Sequence, residues 1–168
     1  SSALTGLMVA RVIWTAALLY PLELSIRTQI ARGDGRDKFD GGFLETTGAA
    51  IAFAGLSLET WADRVLLAFQ REHPGGQQVC MRRPWSVSRH PNYLGEILFQ
   101  MGIAMVCLPS CAPWYGAWTG AAMTILILLV LPGGIWSLEK RANNRWGHQL
   151  QYIEYREATS LIVPYLFI

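Results

Sequence analysis

The chain has 168 residues, 52% of them hydrophobic and 15% charged, with mean hydropathy +0.25 and a formal net charge of +2. That is one domain's worth of chain, too apolar for an ordinary soluble domain, and its expected solvent is a lipid bilayer. Nothing in it forms a nucleic-acid-binding patch, because the basic residues flank apolar runs, where membrane proteins place them.

The chain opens Ser-Ser without an initiator methionine, as a processed or trimmed product does, and shows no signal-peptide pattern. Residues 3–26 form the first apolar stretch, long enough for a spanning helix of roughly 20 residues. Arg11 and Glu23 within it are expected to pair with other helices. "RGDGRDKFDGG" (32–42) reads as a polar connector. The second stretch, Phe43 to Leu58, reaches spanning length by borrowing neighbours to about residue 63. "REHPGGQQVCMRRP" (71–84) is a loop in which Pro-Gly-Gly forces a turn. The third stretch, Ile97 to Leu108, spans if it borrows residues 93–110. "LPSCAPW" (108–114) makes a tight hairpin into the fourth, 115–136, and "LPGG" (131–134) bends that helix's last turns. From Ser137 the chain turns polar and helical, in a tail that closes with the apolar run Leu161 to Ile168. No stretch alternates as a barrel strand does.

These elements predict a single all-α domain, 1–168: an integral membrane helical bundle with about four transmembrane helices and a C-terminal amphipathic helical tail. If each stretch crosses once, Arg64, Arg71, Arg82, Arg83 and Arg89 share one side with Lys140, Arg141, Arg145 and Arg156, and that richer side faces the cytoplasm or its organellar equivalent. The endoplasmic reticulum or an organellar membrane is the expected location. Cys80, Cys107 and Cys111 have no nearby histidine to complete a zinc site and are expected to be buried, inert thiols.

The chemistry concentrates in two clusters. "SRHPNYLGE" (88–96) sets Pro91 at the first position of a helix, so that helix begins near His90 with its free N–H groups beside Arg89. A helix start beside an arginine attracts anions, phosphate above all. Asn92 and Tyr93 add neutral donors, and Glu96 an acceptor one turn in. In the tail, Tyr152, Tyr155 and Arg156 share a helical face, and Arg141 and Arg145 repeat the spacing of four. A hairpin of the third and fourth helices brings the tail back to the first cluster, closing a pocket. Glu59 and Asp63 either support it by pairing with Arg64, Arg89 or Arg141, or meet a cofactor directly. There is no G-x-G-x-x-G after a strand, G-x-x-x-x-G-K, H-E-x-x-H or G-x-S-x-G, which excludes a soluble-type nucleotide fold.

Three stretches, "GLSLETWADRVLLAF" (55–69), "RPWSVSRHPNYLGEILFQMGI" (83–103) and "LEKRANNRWGHQLQYIEYREATSLIVP" (138–164), together with "RGDGRDKF" (32–39), resemble the DUF1295 membrane family. That family is similar to steroid 5-alpha-reductases, sterol reductases and isoprenylcysteine carboxyl methyltransferases. The resemblance implies a cofactor pocket open to the cytosolic face. It would hold NADPH for reducing an activated carbon–carbon double bond of a sterol-like or other lipid, or S-adenosylmethionine for methyl transfer to a lipid or carboxylate. It implies cofactor contacts from Arg89, His90, Asn92, Tyr93, Glu96, Arg145, Tyr152, Tyr155 and Arg156, with Tyr93 the one candidate proton donor. The expected partners are membrane lipids, a lipid-like substrate and, in the alternative of a non-catalytic subunit without cofactor, other membrane subunits.

Overall fold

The computed structural model describes Arg27, residues 42–107 and residues 134–164. The apolar stretch 3–26, the connector 32–41 and residues 108–133, with the hairpin, Cys111 and nearly all of the fourth stretch, lie outside the described residues. Within them the chain is all helical: α1 (Phe43–Glu72), α2 (Pro91–Cys107), α3 (Trp136–Trp146) and α4 (Leu150–Ala158). Among the described residues, no helix is long and apolar enough to cross a membrane.

Helix α1 starts where the Glu45 carboxylate accepts the Gly42 N–H at 3.0 Å, satisfying a donor that the helix leaves free. It does not stop at Leu58. Residues 59–72 contain neither glycine nor proline, so the ladder continues through Glu59, Asp63 and Arg64 to Glu72. Pro74 then disfavours helix at the residue before it. His73 caps the end twice, its backbone N–H donating to Phe69 O at 3.0 Å and its ring Nδ1 lying 3.1 Å from the same oxygen.

Helix α2 begins at Pro91 as its sequence predicts, with the Leu94 N–H donating to His90 O at 3.2 Å. It packs antiparallel on α1 along a seam of small residues. Gly48, Ala52, Gly55 and Ala62 are buried on α1, and Gly95 and Gly102 on α2. The backbones come close enough that a Cβ on Gly48 would stand 2.7 Å from Gly102 O, and one on Gly95 2.6 Å from Glu59 N. Neither side can carry more than a hydrogen there.

The polar tail is two helices, not one. A wider, π-type turn at Gly134–Ile135, with Ile135 fully buried, leads into α3. Helix α3 ends at Gly147, whose N–H donates to Asn143 O at 2.8 Å. After the bend α4 runs from Leu150 and gives way to an extended segment that returns to the start of α2. There Arg89 N–H donates to Ser160 O at 2.9 Å, Ser88 Oγ donates to Ile162 O at 2.7 Å, and Ser88 Oγ accepts the His90 N–H at 3.2 Å. Ser88 and Ser160 are both buried, so these bonds satisfy groups that would otherwise be costly.

Candidate functional site

A cavity of about 500 Å3 opens where the C-terminal half of α1, the start of α2, α3 and α4 converge. That is within the roughly 300–1,000 Å3 of typical small-molecule sites. The two polar clusters read from the sequence meet here: Arg89, His90, Asn92 and Tyr93 form one wall, and Arg141, Arg145, Tyr152 and Tyr155 the facing one. Phe69, Trp85 and Trp146 supply aromatic surface, and Leu66 and Leu138 aliphatic surface.

The wall is organised by a residue that the sequence reading passed over. Glu139, in the first turn of α3, accepts hydrogen bonds from Arg89 Nη1 and, at 2.7 Å, from His90 Nε2. One carboxylate thus fixes two neighbouring side chains at the N-terminus of α2 and ties that helix to α3. His90 is buried and Arg89 is 13% exposed at its side chain, so the arrangement is sheltered from water. Burial alone would raise the Glu139 carboxyl; the hydrogen bond from His90 and the charges of Arg89, His90 and Arg156 outweigh it and hold the group below its ordinary 4.5. A signal was present: Glu139 is an acid in the first turn of a polar helix, where acids are favoured.

The phenols play different parts. Tyr155 donates its hydroxyl to Trp85 O at 2.7 Å, and burial pushes its pKa far up. Tyr152 is buried and lies against Trp146, ring centroids 6.1 Å apart; burial and then the Glu139 charge raise its hydroxyl, which stays protonated at neutral pH. Tyr93 packs its ring edge against His90, centroids 5.8 Å apart.

Four residues named from the sequence are not among those lining the cavity. Arg156 is exposed and donates to Asn143 Oδ1 at 3.0 Å. Glu96 is half-buried one turn into α2, away from the lining. Glu59 lies on the α1–α2 seam beside Gly95, and Asp63 is exposed one turn on. The acid that Arg89 takes is Glu139, not Glu59 or Asp63. The bend at Gly147 explains how Arg141 and Arg145 reach the cavity with Tyr152: the chain folds them around it instead of stacking them along one helix. Cys80 is a buried free thiol and Cys107 is buried, as expected.

Two buried polar atoms, Arg89 Nε and Asn92 Oδ1, have no hydrogen-bond partner. Such atoms carry a desolvation cost. No group of His, Cys, Asp and Glu suited to a metal ion occurs among the described residues.

No curated protein and no solved structure matches the chain. The family described as a protein of unknown function, DUF1295, matches residues 3–159, nearly the whole sequence. The chain is therefore a member of the DUF1295 family.

Proposed function

We propose that the chain is an integral membrane protein whose cavity binds NADPH and reduces an activated carbon–carbon double bond of a sterol-like or other lipid. The observation that carries this reading is the composition of the cavity. Arginines 89, 141 and 145 line it with one carboxylate, Glu139, which Arg89 and His90 already occupy. Arg141 and Arg145 thus leave the wall cationic, fitted to phosphates, while Trp85, Trp146 and Phe69 offer flat surfaces to aromatic rings. A whole dinucleotide exceeds about 500 Å3 of enclosed space, so part of it would extend from the mouth.

When bound, NADPH would supply a hydride to the beta carbon of the polarised double bond. Tyr93, a cavity-lining phenol, would hold the proton for the substrate oxygen, and the Arg89–Glu139–His90 cluster would orient the wall against which the cofactor lies. Membrane residence is supported by the apolar stretches 3–26 and 115–136, by the charge-free run 97–107, and by the exposed Phe43, Phe53 and Leu56 on α1.

Titration of detergent-solubilised protein with NADPH, followed by cofactor fluorescence, tests the reading. Saturable binding weakened about tenfold or more by Arg145→Ala or Arg141→Ala is expected. Absence of binding, or saturable binding of S-adenosylmethionine in its place, would overturn it. NADPH binding without oxidation across a panel of enone lipids would instead favour a non-catalytic subunit of a membrane complex.

A further inference from the structure

We propose that residues 73–81 are a lid over the cavity, held shut by a latch of three side chains, Arg145, Trp146 and Gln149. The inference rests on the cavity of the proposed function, as its gate, and not on the identity of the cofactor.

The loop leaves α1 at His73 and comes back beside it, because its two ends are pinned together. The Glu72 carboxylate takes both terminal nitrogens of Arg82, at 3.1 and 2.5 Å, and the Arg82 guanidinium sits 5.4 Å above the Phe69 ring. A short segment with joined ends is an Ω-loop, a form often used functionally. This one contributes a wall of the cavity through His73, Gly76, Gln78, Val79 and Cys80.

Its ends are joined to each other beside α1, and its middle is fastened to the tail. Trp146 Nε1 donates to Gly76 O at 3.2 Å, Gln149 Nε2 to Gln77 O at 3.1 Å, and Arg145 Nη2 to Gly75 O at 3.4 Å. Three donors from one five-residue stretch therefore grip three consecutive carbonyls, and side chains make every one of these bonds. Such bonds break singly, two of the three at the surface, without unravelling a helix. Gly76 permits the movement. Its φ of +56° is open to glycine and strained for other residues, and a Cβ there would run into the Arg145 guanidinium. A Gly75–Gly76 pair under the latch and an ion pair joining the loop's ends at Glu72–Arg82 are the parts of a hinge and its anchor.

Cys80 reports on the lid. It is 5% exposed beneath the loop, so labelling is expected to quicken when the loop lifts. Cys107, fully buried at the end of α2, reports on loss of the helical scaffold. The experiment is pulsed labelling of the detergent-solubilised full chain with a water-soluble maleimide, each cysteine being quantified by mass spectrometry. Trp146→Phe removes the indole donor and keeps an aromatic ring; with Gln149→Ala, it is expected to speed Cys80 labelling about fivefold to tenfold while Cys107 is unchanged. Gly76→Ala is expected to alter the Cys80 rate again without moving Cys107.

Equal Cys80 rates in the wild type and the Trp146→Phe/Gln149→Ala variant, or a parallel rise at Cys80 and Cys107, would overturn the lid. Because this readout needs no ligand, it stands or falls separately from NADPH binding. If NADPH does bind, saturating cofactor is expected to slow Cys80 labelling, and free labelling of Cys80 in the saturated protein would count against the lid as its gate.

Discussion

The two ends of the α1–α2 hairpin are held together by opposite means. At one end, Gly48, Ala52, Gly55, Gly95 and Gly102 let two backbones touch, with no charged residue in α2 beyond Glu96. At the other, the start of α2 is tied to α3 and to the extended segment after α4 by hydrogen bonds and one shared carboxylate. The seam depends on what is missing from its residues, the cavity end on what is present. Close packing tolerates no added volume, whereas a polar network tolerates rearrangement but not loss of charge.

The strongest way to break this comparison is to add bulk at the seam. Gly95→Leu has no room against the Glu59 backbone, and overpacking of this kind costs about 3 kcal/mol or more when backbone is the obstacle. The expected outcome is loss of the folded hairpin by circular dichroism, with no recovery by ligand. A stable Gly95→Leu protein would show that the helices are not in contact there.

Removing the carboxylate at the cavity end should cost less and should carry a pH signature. Glu139→Gln is expected to lose about 2–3 kcal/mol, since it leaves Arg89 and His90 without their anion in a sheltered site. Because the folded pKa of Glu139 lies below the unfolded value of 4.5, its contribution is fully present above that pH. It is lost as pH falls through the lower, folded value. Denaturant titrations at pH 7 and below 4.5 should therefore show the wild type weakening on acidification, and the difference from Glu139→Gln shrinking. A constant difference would remove Glu139 from the linkage.

The smallest effect sharpens the contrast inside the cavity wall. Tyr155→Phe removes the donor to Trp85 O and keeps the ring, with an expected loss of about 1 kcal/mol in thermal or denaturant unfolding. No measurable change would mean that water replaces the phenol at that carbonyl.

Much of this was legible in the sequence because local rules carried it. Pro91 marks a helix start whatever surrounds it, and Pro74-Gly75-Gly76 marks a turn. The meeting of 88–93 with 141–155 followed from the expected return of the chain. Three features were not legible. The seam is written in glycines that also read as helix-weakening residues, and periodicity by polarity does not separate the two roles. The break at Gly147 lies inside a continuous polar pattern. Glu139 escaped because its importance belongs to its partners, which lie about fifty positions away, just ahead of a different helix.

The pairing of Ser88 and Arg89 with residues 160–162 sets an order of assembly during synthesis. The glycine-lined pair of helices has all its parts once residue 107 has left the ribosome. The ligand-facing wall cannot be locked until Glu139 and then residues 160–162 have emerged, so a nascent chain passes through an interval in which its scaffold can form while Arg89 and His90 still lack Glu139.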